Sequence, residues 1–163
     1  MCIRDRTALH LASENGHQET VKILLDNKAD IETKSNDDHT ALHLASRFGY
    51  QDTVKLLLKN NANTEAKDKG GKTPLSLASE NGHQETVKLL LDNKADIEAE
   101  DENGETALHF ASEKGHPETV QLLLDNKADI EAKDYWNKTA LHRASEKGHQ
   151  ETVKLLKMRG AKW

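Results

Sequence analysis

The chain has 163 residues, a net charge of −5, 35% apolar residues and only 4% aromatic residues. This apolar content is low for a globule with one central core, and it suits a thin stack whose layers bury only their contacts with neighbours. Acidic and basic residues are interspersed without a lysine–arginine stripe, which argues against a nucleic-acid partner. No run approaches the roughly 18 apolar residues of a membrane helix.

The first six residues, Met1 to Arg6, match nothing at the corresponding places further along the chain. One codon set that encodes them matches the end of an adapter used to prepare sequencing libraries. We therefore expect residues 1–6 to be a non-native leader before a repeat domain over 7–163, with a divergent natural N-terminus as the alternative. Cys2 is the only cysteine, so no internal disulfide can form, and we expect a cytoplasmic (intracellular) protein.

From Thr7 onward the sequence repeats with a period of 33 residues. The phrase TALHLAS, or a close variant of it, begins at five threonines: Thr7, Thr40, Thr73, Thr106 and Thr139. A glycine and a valine further along each unit keep the same spacing. A fixed period of this size predicts a solenoid. Its five units would cover about 4–36, 37–69, 70–102, 103–135 and 136–163.

Each unit predicts a helix, a turn, a second helix and a loop. In the first unit Thr7 is a good N-cap for a short helix, and His10 can reach back towards it. Gly16 allows the positive φ of a tight turn. A second helix follows from about Gln18 to Asp26, and its fourth-unit counterpart begins with Pro117, which favours a first helical turn. The polar remainder predicts an extended loop or hairpin.

These units closely resemble ankyrin repeats. The phrases Thr-Ala/Pro-Leu-His-x-Ala, Gly-His-x-Glu, Val-Lys-Leu-Leu-Leu and Ala-Asp-Ile fall in register, and the resemblance covers about residues 4 to 163. It implies an all-α, ankyrin-type helix–turn–helix solenoid with hairpin loops, in which antiparallel helix pairs stack side by side. Family members generally bind other proteins through the hairpin tips and the inner helices.

Several residues depart from the family pattern. Glycine often precedes Ala-Asp, but four units carry another residue there: Lys28, Asn61, Lys94 and Lys127. Glutamate replaces a common asparagine at Glu32, Glu98 and Glu131, and Ser76 replaces the phrase histidine in the third unit. If Lys94 and Lys127 have a left-handed backbone just past the second helix, glycine would suit those places better. The alternative is that the neighbouring Asn93 and Asn126 adopt the left-handed backbone instead.

The fifth unit differs from the others at two apolar positions. Arg143 stands where the earlier units have Leu11, Leu44, Leu77 and Phe110, and Lys157 stands where they have Leu25, Leu58, Leu91 and Leu124. Terminal repeats need a polar outer face because no neighbour covers it. We therefore expect both residues to lie where a sixth unit would pack and to act as a C-terminal cap.

The nine histidines do not predict a metal site or a catalytic site. Eight of them belong to the repeat: His10, His17, His43, His83, His109, His116, His142 and His149. Within a unit the two are seven residues apart on different helices, unlike the i, i+4 pair of a helical zinc motif. We expect them to hydrogen-bond between neighbouring loops, and five equivalent serines to serve packing. The sequence predicts no enzyme, no metal and no cofactor.

Residues that break the repeat are the candidates for partner binding. Arg47, Phe48 and Tyr50 interrupt the second unit where other units are mostly polar, and Tyr135 and Trp136 occupy the fifth hairpin. Exposed aromatic residues and arginine are common anchors of protein interfaces. The alternative is local packing, with Phe48 and Tyr50 covering a helix end and Tyr135 lying on a neighbouring loop.

The predicted function is that of a monomeric protein-binding scaffold. The alternative is a regulatory or targeting segment of a larger protein, and a third hypothesis is a passive spacer. Acidic residues near the candidate site favour a partner with basic residues: Glu80, Glu102, Glu105 and Glu113. The sequence does not name the partner, because one fold serves many partners.

Overall fold

A computed structural model describes residues 6–163, and its helices form five successive pairs. The first helices of the pairs are α1 (Ala8–Glu14), α3 (Ala41–Phe48), α5 (Pro74–Glu80), α7 (Ala107–Lys114) and α9 (Ala140–Glu146). The second helices are α2 (Gln18–Asp26), α4 (Gln51–Lys59), α6 (Gln84–Asp92), α8 (Pro117–Asp125) and α10 (Gln150–Met158). None of these helices is long and apolar enough to cross a membrane. Apart from Arg6, the expected leader lies outside the described residues.

The first helices begin at a threonine that caps them, as the sequence predicts. In the first unit the amide of His10 donates to the Thr7 hydroxyl at 3.4 Å, and the amide of Thr7 donates to Nδ1 of His10 at 3.1 Å. This reciprocal capping box recurs in the second, fourth and fifth units. In the third unit Ser76 instead places its hydroxyl 3.1 Å from that of Thr73. A short helix of seven or eight residues depends on such caps, because it has few internal hydrogen bonds.

The core repeats with the units. Each first helix packs against the first helix of the next unit, and the second helices form a parallel row behind them. The same leucine of the first helix and the same leucine of the second are fully buried in successive units: Leu42, Leu75, Leu108 and Leu141, then Leu57, Leu90, Leu123 and Leu156. Fully burying one leucine stabilises the fold by roughly 1.5–3 kcal/mol. Stability is therefore distributed along the stack rather than concentrated in one centre.

The loops between units make tight turns and contact one another. In the loop before α5 the amide of Gly71 donates to the carbonyl of Asp68 at 2.9 Å, and Gly71 has a left-handed backbone with φ +77°. The amide of Glu102, one loop further on, donates to the carbonyl of Gly70 at 3.0 Å. Similar bonds link the loop before α3 to the loop before α5, and the loop before α7 to the loop before α9. The loops thus form a continuous row beside the N-terminal ends of the first helices.

Candidate partner-binding face

Phe48, Arg47 and Tyr50 form one exposed cluster at the C-terminal end of α3. The side chain of Phe48 is 43% exposed, and the Arg47 guanidinium carbon lies 5.8 Å from its ring centroid. The ring centroids of Phe48 and Tyr50 are 6.2 Å apart. The helix ends because Gly49 adopts a left-handed backbone with φ +72°, which turns the chain towards α4.

Tyr50 also packs against the first unit, as the packing alternative requires. Its ring lies directly over Gly16, where a side chain on the glycine would collide with it. His83 occupies the equivalent place one unit later, with its ring over Gly49. Tyr50 is 36% exposed, so it packs on Gly16 and still presents part of its surface to solvent.

Tyr135 and Trp136 form a second cluster, in the loop before α9. The ring of Tyr135 lies over Gly104 of the preceding loop, while its side chain remains 71% exposed. Trp136 is 59% exposed, and its amide donates to a carboxylate oxygen of Asp134 at 2.9 Å. Tyr135 therefore packs on a neighbouring loop, whereas Trp136 lies in a turn whose backbone amides hydrogen-bond to Asp134.

Arg143 lies between Trp136 and a group of carboxylates. Its guanidinium carbon is 5.5 Å from the Trp136 centroid, and its Nε donates to Asp134 at 2.9 Å. A second guanidinium nitrogen lies 2.9 Å from Glu105, and another nitrogen lies 3.7 Å from Glu113. These contacts hold the Arg143 guanidinium against the Trp136 indole, so the indole packs on an ordered side chain.

The pKa values of Asp134 and Glu105, the two most buried carboxylates around Arg143, shift in opposite directions. Burial tends to raise the pKa of Asp134, but hydrogen bonds from the Lys138 amide and from Arg143 outweigh burial and hold that pKa below its ordinary value. Burial raises the pKa of Glu105, and the partly opposing charge of Arg143 does not cancel the effect. Asp134 is therefore the principal anionic partner of Arg143.

The predicted role of Arg143 as an outward-facing cap is wrong. Its contacts with Glu105 and Glu113 are with the fourth unit, on the side of the preceding repeat. The exposure of the equivalent residues gives the reason: Leu11 is 42% exposed, whereas Leu44 is 2% exposed. Residues at this position therefore pack against the preceding unit. The structure describes such a unit for Leu44 and Arg143, but not for Leu11. Lys157, the other predicted cap residue, is exposed on α10.

The structure does not bring the two clusters together. Phe48 lies at the C-terminal end of a first helix, whereas Trp136 lies in the row of loops beside the N-terminal ends. An eight-residue helix such as α3 is about 12 Å long. The clusters are also three units apart along the stack, so only an extended partner or a folded domain could contact both.

Most of the nearby acidic residues are already paired within the chain. Glu80 lies 2.8 Å from the amine of Lys72 and 3.6 Å from that of Lys114. Glu105 and Glu113 both contact Arg143, and Lys147 lies 3.3 Å from Glu113. Glu102, in the loop before α7, is exposed. The face is therefore less acidic than the sequence suggests.

Three of the four phrase histidines hydrogen-bond to the next loop, which confirms the prediction for them, whereas the His142 ring in the last unit hydrogen-bonds only to Thr139 among residues 6–163. Nε2 of three turn histidines lies 2.8 to 3.1 Å from a carbonyl of the preceding unit: His83, His116 and His149. Nε2 of His10, His43 and His109 lies 2.9 to 3.1 Å from a carbonyl 29 residues further on. Because Nδ1 accepts from the threonine amide, Nε2 carries the proton and donates, which defines a neutral tautomer. Burial lowers the pKa of His43 to about 4 and lowers the pKa of His10 and His109. In the described part of the chain, no three His, Cys, Asp or Glu residues are grouped to hold a metal.

The sequence did not predict the bridging role of one series of glutamates. Glu32 accepts from the amide of Asn63 at 2.8 Å, and the same bond recurs in the next units. Four members of the series act this way: Glu32, Glu65, Glu98 and Glu131. Their 33-residue spacing was visible, but it could not show that an exposed carboxylate accepts from the next unit.

Comparison with known proteins supports the architecture. A family model described as Ankyrin repeats (3 copies) matches residues 2–68, 61–134 and 95–163. The overlapping matches together cover nearly the whole chain. The chain belongs to the ankyrin repeat family. Ankyrin repeats are generally protein–protein interaction modules and typically not catalytic. None of the curated proteins compared with the chain matches it.

Proposed function

We propose that this ankyrin repeat chain is an intracellular, non-catalytic scaffold that binds another protein. The partner would lie on the face formed by the first helices and the loop row, which is the concave face in this family. The chain itself would act as a monomer. Ankyrin repeat proteins are often intracellular, and residues 7–163 contain no cysteine that could form a disulfide.

The observation that carries this proposal is the exposure of large side chains where the repeat is otherwise polar. Phe48 is 43% exposed at a position that holds asparagine or lysine in the other units. Trp136 is 59% exposed on the turn that Asp134 and Arg143 brace. Near-identical units present near-identical surfaces, so discrimination between partners must come from such places. Aromatic residues of this kind commonly contribute most of the binding energy of an interface.

Charge on this face favours a basic group of the partner near the loops. Glu102 is exposed in the loop that precedes Tyr135, whereas Glu80, Glu105 and Glu113 have cationic partners within the chain. A basic side chain beside Glu102 would accelerate association at low salt and would be screened at high salt. The proposed attraction is therefore local to the loop row.

The test is to remove each aromatic anchor separately. A partner captured with the wild-type chain and then purified should bind Phe48→Ala and Trp136→Ala more weakly by about 2 kcal/mol each, a typical loss at an interface hot spot. Isothermal titration calorimetry measures the loss. Met158→Ala is a matched control, because Met158 is 75% exposed on α10, away from the proposed face.

Folding must be measured in parallel by circular dichroism. If both aromatic variants remain folded and bind with wild-type affinity, the proposed face is wrong. If they unfold instead, the aromatic residues serve packing, and the packing alternative replaces the proposal.

A second candidate function is a regulatory or targeting segment of a larger protein with further repeats or a catalytic domain upstream. The uncovered side of the first unit favours it, because Leu11 is 42% exposed where the equivalent apolar residues Leu44, Leu77 and Phe110 are buried. The upstream genomic sequence tests it. An open reading frame that continues into another 33-residue unit would support this candidate, and an in-frame stop codon there would exclude it.

A further inference from the structure

A row of charge pairs links successive units at the C-terminal ends of the first helices. Glu80 of the third unit lies 3.6 Å from Lys114 of the fourth, and Glu113 of the fourth lies 3.3 Å from Lys147 of the fifth. Each pair joins the glutamate that follows the phrase serine to a lysine 34 residues later. The row therefore has a regular pattern of acid on one unit and base on the next.

The second unit breaks this pattern with a cation. Arg47 holds the glutamate position, and the residue facing it from the third unit is Asn81. The Asn81 side-chain amide donates to the carbonyl of Leu77 in its own helix at 2.8 Å. Among residues 6–163, no carboxylate lies within ion-pair distance of Arg47. Arg47 is therefore an exposed guanidinium without a carboxylate partner in the described part of the chain. The equivalent positions at the next two contacts between units, Glu80 and Glu113, form ion pairs.

Arg47 borders an open pocket of about 420 Å³ between the second, third and fourth units. The pocket is lined by Arg47, Glu80, Asn81, Lys114 and His116. Glu80 is its only carboxylate, and that carboxylate is shared by Lys72 and Lys114. The side chain of Lys114 is 46% exposed. The pocket therefore has an excess of positive charge, and Phe48 stands at its edge beside Arg47.

We propose that this pocket binds an acidic side chain of the partner, presented next to an apolar side chain that packs on Phe48. The inference rests on the proposed function and names the chemistry of the partner at this end of the face. Arginine suits this role because its planar guanidinium donates two parallel hydrogen bonds to one carboxylate. Lys114 also lines the pocket and contributes a second positive charge. A basic segment would be repelled here, whereas it would be attracted beside Glu102.

The test uses a random peptide library displayed on phage and selected on the wild-type chain. The selected peptides should contain aspartate or glutamate close to a large apolar residue. Synthetic copies of them, labelled for fluorescence anisotropy, should bind Arg47→Gln about tenfold more weakly and Phe48→Ala at least as weakly. Lys147→Gln is the matched control, because Lys147 belongs to the same row but pairs with Glu113 outside the pocket, and its affinity should not change.

A charge reversal sharpens the experiment. Selection on Arg47→Glu should no longer enrich acidic peptides. The inference is overturned if the wild-type chain enriches no peptides over this variant, if the enriched peptides lack acidic residues, or if Arg47→Gln binds them with unchanged affinity. Loss of binding in Phe48→Ala with no effect of Arg47→Gln would leave the proposed face standing without its acidic anchor. Unchanged affinity of the captured partner for both Phe48→Ala and Trp136→Ala would refute the proposed face itself.

Discussion

Lys94 has a left-handed backbone, with φ +66°, directly after α6. Its neighbour Asn93 has φ −94°, so the strain falls on the lysine and not on the asparagine. Such a conformation costs a residue with a side chain on the order of 1 kcal/mol, and glycine avoids that cost. We expect Lys94→Gly to raise the free energy of unfolding by about that amount, and Lys127→Gly, at φ +70°, to do the same. Urea denaturation followed by circular dichroism measures the change.

Asn93→Gly is the matched control for Lys94→Gly. The Asn93 side chain donates to the carbonyl of Leu89 at 2.8 Å, so glycine would remove this helix-ending bond without relieving strain. This variant should be less stable than the wild type. A loss of stability in both Lys94→Gly and Lys127→Gly would contradict the assignment of strain to the lysines.

His43 should make stability depend on pH. The pKa of its imidazole is 6.5 ordinarily and about 4 in the folded chain, because burial disfavours the charged form. Between about pH 6.5 and pH 4, His43 binds a proton in the unfolded state but not in the folded state. The free energy of unfolding therefore falls as pH decreases and levels off below about pH 4. The shift corresponds to roughly 3 kcal/mol. Urea midpoints measured across this range should fall accordingly.

His43→Gln isolates this contribution from other titrating groups. The lowered pKa of His10 and His109 acts in the same direction, whereas the raised pKa of Glu105 acts in the opposite one. The variant should be less stable at neutral pH and should lose less stability on acidification. An equal loss in wild type and variant would show that His43 is not the titrating group.

At the scale of elements, the third unit lacks the bond from its first helix to the next loop, although that loop is present. Ser76 stands where His10, His43 and His109 reach a carbonyl 29 residues further on, and the corresponding carbonyl is that of Glu105. We expect Ser76→His to restore the capping box and this bond. One net hydrogen bond contributes roughly 0.5–1.5 kcal/mol. The denaturation midpoint should rise by the corresponding amount.

The converse substitution His43→Ser tests the same contact in the second unit. It removes the bond of His43 to the carbonyl of Lys72, 3.1 Å long, and should lower the midpoint. If Ser76→His leaves the midpoint unchanged or lowers it while His43→Ser destabilises, the third unit lacks room for the imidazole. The bridging explanation would then not extend to that unit.

The elements that sequence predicted best are those whose cause is local. The N-cap at Thr7, the left-handed turn at Gly16 and the helix over Gln18–Asp26 follow from neighbouring residues, and the structure has all three. The orientation of Arg143 was predicted wrongly, because a period shows which positions are equivalent but not which side of a unit they face. The cation–aromatic contact of Arg143 with Trp136 was missed for the same reason, since it needs the path of the loop.

At the scale of the whole molecule, each unit depends on its neighbours for burial. Thr7, Ala8 and Thr20 are exposed in the first unit, whereas their equivalents in later units are buried by the unit before. A stack of this kind gains stability from each interface between units. Among residues 6–163 the first unit has one such interface, so it should unfold more readily than the second, third and fourth.

The pair Leu11 and Leu44 tests this dependence on neighbours, because the two residues hold the same position in different units. Leu11 is 42% exposed and Leu44 is 2% exposed, although both lie in the same phrase. Leu44→Ala should cost about 2–5 kcal/mol, as expected for a buried leucine, and Leu11→Ala about 1 kcal/mol or less. Urea denaturation measures both losses, and size-exclusion chromatography with light scattering determines whether the chain is a monomer. Equal losses in a monomer would show that the exposed side of the first unit is covered in solution by another part of the chain. Equal losses in a dimer would instead place a second copy against Leu11.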